Sequence, residues 1–274
     1  MSTETGRFTI LHLSDIHATE GDLLYGQIDG LERIRQVAAY ARSARITPEA
    51  VIVTGDLIQR GHAAAYPAVD EALRLLGEAV GAPVLTVLGN HDDADAARLL
   101  AGHAESHYRV EHIGDYRFIL LDSSTGSLDL AQLTWLSGVL RQPYGLGSVV
   151  ALHHAPVPSP MPTLSKTGLR NPDEFAAALA GSDVRFVLAG HYHHPMFGSF
   201  ISGSFDAIPV SVGPSLAYHQ VMNAGPDTVS GHDLAMFSLL HATGSSITTV
   251  PVSLLAARPL FSVPVPSLSV PSNP

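Results

Sequence analysis

Five short polar motifs combine carboxylate, amide and imidazole side chains, and each of them follows an apolar run of sequence. In chain order they are Asp15-Ile16-His17, Gly55-Asp56, Gly89-Asn90-His91-Asp92, His153-His154 and Gly190-His191-Tyr192-His193. Oxygen and imidazole donors without sulfur suit divalent first-row metals. Sites with two such ions about 3.5–4 Å apart are typical of phosphatases, nucleases and aminopeptidases. The motifs therefore predict a two-metal hydrolase.

The spacing within the motifs supports this interpretation. Asp15 and His17 are two residues apart, and so are His191 and His193. Side chains two apart on an extended segment point the same way, so each pair can meet one ion. Asp56 could bridge two ions, with one carboxylate oxygen to each. Each motif alone also fits an ordinary turn or helix cap, but five in order, each at a predicted strand end, favour the metal site.

The elements that must position these motifs alternate along the chain. Apolar runs predict buried strands over residues 8–13, 50–54, 83–88, 148–152 and 184–189. Helical spacing predicts helices over residues 27–44, 63–79, 94–101, 130–140 and 172–180. Further strands are expected within 107–121 and over 198–201, 207–212, 233–240 and 246–252. This order favours two sheets stacked face to face with helices outside, and strand ends are where α/β proteins gather their chemistry.

Two proline-rich segments stand apart from this pattern. Residues 155–171 contain four prolines and no clear period, which predicts a long loop over the site because it follows His153-His154 directly. We expect this loop and residues 213–220 to form the substrate pocket. The segment from Arg258 on contains five prolines and predicts an extended arm. The expected division is a catalytic domain over 1–254 and an arm over 255–274.

The composition excludes several classes of function. A formal charge of −10 argues against a nucleic-acid polymer as ligand, because Lys and Arg hold phosphate backbones. There is no cysteine, so thiolate metal sites and disulfides are excluded. The N-terminal residues lack a signal-peptide pattern, and no apolar run predicts a membrane span, so a cytoplasmic protein is expected. Only 15% of residues are charged, which suggests a surface covered in a dimer or larger homo-oligomer.

The five motifs, in this order, resemble the calcineurin-like metallophosphoesterase superfamily over roughly residues 8–212. Their spacing and the His-His-Ala-Pro variant are most similar to its bacterial cyclic-nucleotide phosphodiesterase (class III) and glycerophosphodiesterase-like branch. The resemblance implies an α/β fold, a four-layer α-β-β-α sandwich with two stacked mixed sheets. It implies one metal held by Asp15, His17, Asp56 and His193, and a second held by Asp56, Asn90, His153 and His191.

The same resemblance assigns roles to residues beside the metals. His91 matches a histidine that is not a ligand and lies next to the scissile phosphate, and Asp92 matches the carboxylate that orients it. At position 155 this sequence has Ala where the branch usually has Pro, which removes no ligand. We expect His154 to contact the metal ligands without binding a metal itself. The remaining candidates for the pocket rim are His62, His194 and His219.

The expected activity is the hydrolysis of small phosphodiesters at two divalent or mixed-valence ions of iron, manganese, zinc or cobalt. The ions lower the pKa of a bridging water, and the hydroxide attacks phosphorus. Asn90 shares in stabilising the growing charge, and protonated His91 donates to the leaving alkoxide. Cyclic nucleotides, 3′,5′-cAMP or 2′,3′-cyclic forms, are the first substrate choice, and glycerophosphodiesters are the alternative. An inactive scaffold of the same fold would predict missing ligands, and none of the matched positions is missing.

Overall fold

A computed structural model describes residues 7–201, 207–222, 225 and 227–255 of the protein. Its first sheet contains β1 (Phe8–Leu13), β2 (Ala50–Thr54), β3 (Val84–Val87), β12 (Met236–Ala242) and β13 (Ile247–Ser253), in the order β13-β12-β1-β2-β3. Strands β1, β2 and β3 run parallel, and β12 pairs with β1 in the antiparallel sense. Three of the predicted motifs therefore follow neighbouring parallel strands.

The second sheet has six strands and is also mixed. It contains β4 (Arg109–Ile113), β5 (Tyr116–Leu120), β6 (Gly147–Ala151), β7 (Val184–Ala189), β8 (Met196–Ile201) and β9 (Ala207–Val212), in the order β4-β5-β6-β7-β9-β8. Strands β6 and β7, which precede the other two motifs, are parallel neighbours.

The α-helices are α1 (Gly30–Ser43), α2 (Tyr66–Val80), α3 (Leu130–Val139) and α4 (Pro172–Leu179). Alternation along the strands sends side chains to opposite faces. Ile10 of β1 packs between the two sheets, whereas the adjacent Leu11 packs in the cluster that contains residues of α1 and α2. Residues of α3 and α4 pack in a separate cluster on the outer face of the second sheet. The layers are thus helix, sheet, sheet and helix, and the predicted four-layer sandwich is confirmed.

Most predicted elements agree with the structure to within a few residues, and the exceptions have local causes. The helix expected over 27–44 begins only at Gly30, because the Asp29 side chain caps it by accepting from the Glu32 backbone N–H at 2.9 Å. The helix expected over 94–101 is wrong. It is a single 3₁₀ turn at Ala96–Leu99, since so short a segment gains little from helix propensity.

One further difference concerns the second half of the chain. A small antiparallel hairpin of β10 (His219–Val221) and β11 (Ser230–His232) was not predicted. Residues 155–171 form the expected loop, with no helix or strand before α4 begins at Pro172. The proline-rich arm predicted over 255–274 lies outside the described residues, apart from Leu255. In the described ranges, no helix has the length and apolar character that crossing a bilayer requires.

Candidate metal centre

The five motifs meet where β1, β2 and β3 of one sheet and β6 and β7 of the other end. The backbone ties these strand ends together. His153 Nδ1 lies 2.7 Å from the carbonyl oxygen of Thr54 at the end of β2, and the Gly190 N–H donates to the carbonyl of His153. The Ala217 N–H donates to the carbonyl of Asp15 at 3.1 Å. Residues far apart in sequence are thereby held at one edge of both sheets.

The backbone is strained at the motif residues. Left-handed φ values are unfavourable for residues with a Cβ and cluster at functional sites. Seven non-glycine residues in the described ranges have positive φ, and five of these belong to the motifs. They are Asp15 (53°), His17 (48°), Asp56 (50°), His191 (76°) and His193 (54°). These strained backbone conformations therefore turn the five side chains inward.

A first group of ligand atoms comes from Asp15, His17, Asp56 and His193. These atoms all lie within 4.8 Å of one another, and all four residues are buried. His193 Nε2 is 3.2 Å from Asp15 Oδ1, and His17 Nε2 is 3.5 Å from Asp56 Oδ2. The structure thus brings together the four residues that the family resemblance assigns to one ion.

Asp56 faces a second group through the same oxygen. Its Oδ2 lies 3.4 Å from His153 Nε2 as well as 3.5 Å from His17 Nε2. Its other oxygen, Oδ1, accepts the backbone N–H of His91 at 2.8 Å. A backbone donor thus occupies Oδ1 and Oδ2 lies between the two groups, while one carboxylate oxygen for each ion stays a prediction.

The second group is built around His153. His153 Nε2 lies 3.2 Å from Asn90 Oδ1 and 3.2 Å from His191 Nδ1. His154 is in reach of the same place, because its ring centroid is 4.4 Å from that of His191. Its Nδ1 is 3.3 Å from Ser123 Oγ, and a ligand atom of His154 lies within 4.8 Å of those of His153 and His191, so its supporting role stays a prediction.

The donor set fits cations bound between these groups. His17, His153 and His193 each turn Nδ1 toward a carbonyl oxygen, which favours a proton on Nδ1 and makes Nε2 the atom that would bind a metal once it carries no proton. His17 Nε2 and His193 Nε2 face each other at 3.1 Å, so a shared proton or a metal cation between them offsets the repulsion of their lone pairs. Apart from the His193 Nε2 contact at 3.2 Å, Asp15 Oδ1 is buried without a hydrogen-bond partner among the described residues. Buried lone pairs that converge in this way are the signature of a ligand set.

Two glycines keep the space around the ligands free. A Cβ on Gly55 would lie 2.7 Å from His153 Nδ1, and a Cβ on Gly190 would lie 3.0 Å from Asp15 Oδ2. Gly55 also has a φ of 81°, which other residues rarely adopt. These glycines allow the strand ends to approach closely enough for the candidate ligand side chains to lie together.

The protonation states also fit metal ligands. Burial by itself raises the pKa of Asp15 and Asp56, but His193 and His153 respectively outweigh it and hold both well below the ordinary range. Burial lowers the pKa of His17 and of His191 to about 4. At neutral pH the carboxylates are charged and these imidazoles are neutral, as metal ligands must be.

His153 differs from the other imidazoles in its charge. Burial lowers its pKa, but the adjacent Asp56 carboxylate more than compensates and raises it to about 9. Without a cation, His153 is therefore protonated at neutral pH and balances the buried carboxylates. Binding a metal ion to His153 has to displace that proton.

Gln59 is a site residue that the sequence reasoning missed. Its Oε1 lies 2.9 Å from His17 Nδ1 and 3.1 Å from His91 Nδ1, so one amide oxygen orients two imidazoles. The neighbouring Arg60 donates to the Asn90 carbonyl at 2.9 Å. Both residues follow Asp56 within four positions, and that proximity to a motif is the only signal in the sequence.

Asp92 was expected to orient the His91 ring, but its hydrogen bonds are made to other groups. Its carboxylate accepts from the backbone N–H groups of Gly89 (2.8 Å) and Leu57 (3.1 Å) and from the Tyr66 hydroxyl (3.0 Å). Burial, and then the charge of Asp56, raise the pKa of Asp92 to about 7. Asp92 therefore fixes the backbone turns that carry Asp56 and Asn90, and the direct orientation of His91 falls to Gln59.

The expected rim histidines have separate roles. His194 stacks on Tyr192 at 5.7 Å, and its Nε2 lies 3.2 Å from Ser159 Oγ, so it anchors the loop over 155–171. His62 Nδ1 accepts the Glu20 backbone N–H at 3.2 Å. His219 lies at the start of β10, in the segment expected to line the pocket.

Comparison with known proteins agrees with this geometry. The profile of the calcineurin-like phosphoesterase family matches residues 8–195. A probable cyclic nucleotide phosphodiesterase of Rhodococcus erythropolis is 35% identical over 248 residues, which span 87% of this chain and 81% of the relative. A cAMP/cGMP dual specificity phosphodiesterase of Mycobacterium tuberculosis is 34% identical over 236 residues, spanning 82% and 73% respectively.

The fold also resembles a solved structure. A dimetal phosphatase from Danio rerio superposes with a TM-score of 0.59 and 16% identity, over 90% of this chain and 96% of that chain. At this identity the likeness concerns the fold alone.

Proposed function

The chain belongs to the calcineurin-like phosphoesterase family, and on that premise we propose that it is a metal-dependent phosphodiesterase whose substrates are 3′,5′-cyclic nucleotides. The observation that carries this proposal is the position of Asp56 Oδ2, at 3.5 Å from His17 Nε2 and 3.4 Å from His153 Nε2. A carboxylate oxygen shared by two imidazole groups fits a centre of two cations. The names of the relatives supply the substrate class.

Two ions would have separate ligand sets that share Asp56. Asp15, His17 and His193 complete the first set. Asn90, His153 and His191 complete the second, as the 3.2 Å separations around His153 Nε2 suggest. Iron, manganese, zinc and cobalt all suit such donors. When bound, two cations supply a nucleophile from water at neutral pH and neutralise charge on the phosphate oxygens.

The side chains of this chain prepare the substrate for an in-line displacement. The Asn90 amide, held near His153, presents its NH₂ group to a non-bridging phosphate oxygen and stabilises the charge that grows there. His91 stands beside it, with Nδ1 held by Gln59 and Nε2 left for the leaving oxygen. Burial lowers the pKa of His91, an effect that Asp56 partly offsets, and an anionic phosphodiester at Nε2 favours its protonated form. His91 then donates that proton to the departing ribose oxygen.

A substrate panel with defined metals tests the proposal. Purified protein, freed of metal by a chelator, is reloaded with Mn²⁺, Zn²⁺, Co²⁺ or Fe²⁺ and assayed on 3′,5′-cAMP, 2′,3′-cAMP and glycerophosphocholine. We expect the fastest conversion with 3′,5′-cAMP, and none in the matched Asp56→Asn variant. Preference for glycerophosphocholine would overturn the substrate class. Two bound ions with no hydrolysis of any diester would overturn the enzymatic proposal and favour a scaffold.

We also propose a cytoplasmic location and assembly into a dimer or larger homo-oligomer. The assembly is supported by large apolar side chains on the surface, among them Leu130 (79% exposed) and Phe197 (61% exposed). Sedimentation velocity at several protein concentrations measures the assembly directly. A monomer at every concentration would contradict it.

A further inference from the structure

A cavity of about 450 Å³ lies beside the candidate metal centre, on the side of His193. Its walls include Tyr25, Gln27, Ile28, Tyr218 and Gln220. Ligand pockets are typically about 300–1,000 Å³, mainly apolar and aromatic, with a few polar groups that fix orientation. This cavity has that size, and its walls combine apolar and aromatic side chains with polar ones that include His232 and Asp233.

An aromatic row connects the cavity to the metal ligands. The Tyr218 ring is 4.2 Å from the His193 ring, and the Tyr25 ring is 5.6 Å from the Tyr218 ring in an edge-to-face arrangement. The backbone of the same segment is fixed to the centre, because His193 Nδ1 donates to the Tyr218 carbonyl and the Gln220 N–H donates to the His193 carbonyl at 3.1 Å. Two ring contacts thus connect the candidate ligand His193 to the exposed residue Tyr25.

Tyr25 is held in an unfavourable conformation at the cavity entrance. It occupies the first of two left-handed positions in a tight turn, with φ of 53°, followed by Gly26 with φ of 70°. The turn is closed by the Gln27 N–H donating to the Leu24 carbonyl at 3.1 Å. Two positive φ values in a two-residue turn favour Asn, Asp or Gly at the first position, not an aromatic residue. The ring is 68% exposed, so burial does not compensate for the strain.

The turn that carries Tyr25 is itself anchored. Leu24 and Ile28 pack with Ala217 and Tyr218 in a small hydrophobic cluster. Ala217 donates to the carbonyl of Asp15, so the cluster is continuous with the metal centre. The exposed ring is therefore presented on a rigid support at a fixed position relative to the metals.

One polar atom in the cavity lacks a partner. Gln220 Oε1 is buried and has no hydrogen bond to any described residue. Buried acceptors without a partner are costly, and because this atom has almost no accessible surface, a ligand donor satisfies it only when the Gln220 side chain turns toward the cavity. Exocyclic amino groups and ring N–H groups of nucleobases are donors of this kind.

We propose that this cavity binds the nucleobase of the substrate, with Tyr25 and Tyr218 as stacking surfaces and Gln220 as an acceptor for the base edge. The inference rests on the proposed function, since it assumes that the phosphate is held at the metal centre. Stacking needs a planar π-face and little else, so the cavity accepts any base that fits. Gln220 then discriminates among bases by hydrogen bonding.

The strain at Tyr25 permits a substitution that removes the ring without weakening the fold. Tyr25→Asn places a residue that the turn prefers, so the melting temperature should stay the same or rise. Tyr25→Phe keeps the ring and tests whether the hydroxyl matters. Gly26→Asn is the matched control, because a Cβ there meets nothing within 4 Å and no ring is lost.

The readouts are the KM for 3′,5′-cAMP and the dissociation constants of adenosine 5′-monophosphate and ribose 5-phosphate, measured on the metal-loaded protein. We expect adenosine 5′-monophosphate to bind more tightly than ribose 5-phosphate. Loss of stacking in Tyr25→Asn should raise its dissociation constant, and the KM, by about 5- to 100-fold. Ribose 5-phosphate binding should change by less than about twofold, and Tyr25→Phe should recover most of the affinity.

The outcomes separate this inference from the proposed function. If the wild-type protein hydrolyses no diester but prefers adenosine 5′-monophosphate to ribose 5-phosphate through Tyr25, the function fails and the base site stands. If the protein hydrolyses 3′,5′-cAMP and Tyr25→Asn leaves its KM at the wild-type value, the base site is wrong. Equal losses for both monophosphates would also overturn it, because they would show damage to the phosphate site.

Discussion

Gln59 orients two imidazoles through one amide oxygen, and its replacement should weaken metal binding although it is not itself a ligand. Gln59→Met keeps a side chain of similar length but removes the acceptor for His17 Nδ1 and His91 Nδ1. Gln59→Glu keeps an acceptor at the same place and adds a charge. The pair of variants therefore separates the hydrogen bonds from the bulk of the side chain.

The size of the effect follows from the burial of each partner. His17 is 1% exposed, so its Nδ1–H finds no water when Gln59 is lost. An unsatisfied buried donor costs about 1–3 kcal/mol, and loss of such a partner typically lowers metal affinity about 10- to 100-fold. His91 is only half-buried, so water can replace its hydrogen bond at a cost of about 0.5–1.5 kcal/mol. The loss of metal affinity should therefore be largest for the ion held by His17.

Titration calorimetry of chelator-treated protein with Mn²⁺ measures this loss directly. We expect one of two binding steps in Gln59→Met to weaken about 10- to 100-fold, and the other to stay near its wild-type value. Gln59→Glu should bind both ions. Wild-type affinity for both ions in Gln59→Met would refute the argument, and so would equal weakening in Gln59→Glu, which would indicate a packing role.

Four further outcomes can be measured on the same protein. Asp56→Ala should lose metal from both sites and nearly all activity. Asp56→Asn should be almost as damaging, because an amide carries no charge to balance two cations. Retention of two ions with substantial turnover would contradict the ligand assignment. His91→Ala should keep both ions, as checked by metal analysis. Its rate on 3′,5′-cAMP should fall about 10²- to 10⁴-fold, and its rate on bis(4-nitrophenyl) phosphate should fall less. Equal falls in the two rates would exclude the acid role. Because burial lowers the pKa of His153 but Asp56 raises it to about 9, its proton must leave when a metal binds below that pH. The apparent affinity for Mn²⁺ should therefore rise up to about tenfold per unit between about pH 7 and 9 and level off above, and a flat profile in calorimetry would contradict that linkage. Truncation after Ala257 should change sedimentation or thermal stability and leave the metals bound; loss of metal from a folded truncated protein would show that the arm was misplaced.

The fold was largely accessible from the sequence because its strands are short and their patterns are local. The apolar runs before Asp15, Asp56 and His153 lie within a residue of the observed β1, β2 and β6. The 3₁₀ turn at Ala96–Leu99 was not accessible, because in so short a segment tertiary contacts decide the conformation. The hairpin of β10 and β11 was missed for a related reason, since each strand has three residues and no apolar period.

The sequence identified most residues of the candidate site, but not the contacts and distances among them. The motifs brought together Asp15, His17 and His193 as expected, although His17 and His193 are 176 residues apart in sequence. The hydrogen bonds of Asp92 were not accessible, because their donors are backbone N–H groups and the Tyr66 hydroxyl, which leave no pattern in the sequence around Asp92. Gln59 went unnoticed because an amide three residues after a motif is common in loops.

The sequence by itself determined the ligand types, their order and the strands that they follow, since these depend on residue identity and on periods of a few residues. Only the tertiary structure decided that Asp56 Oδ2 faces both groups while the His91 N–H occupies Oδ1. It also decided that the ring of Tyr25 stands beside that of Tyr218. Such relations arise where backbone turns with left-handed φ bring distant strand ends to within hydrogen-bonding distance. That closeness is a property of the packed sheets and is not encoded in any one segment.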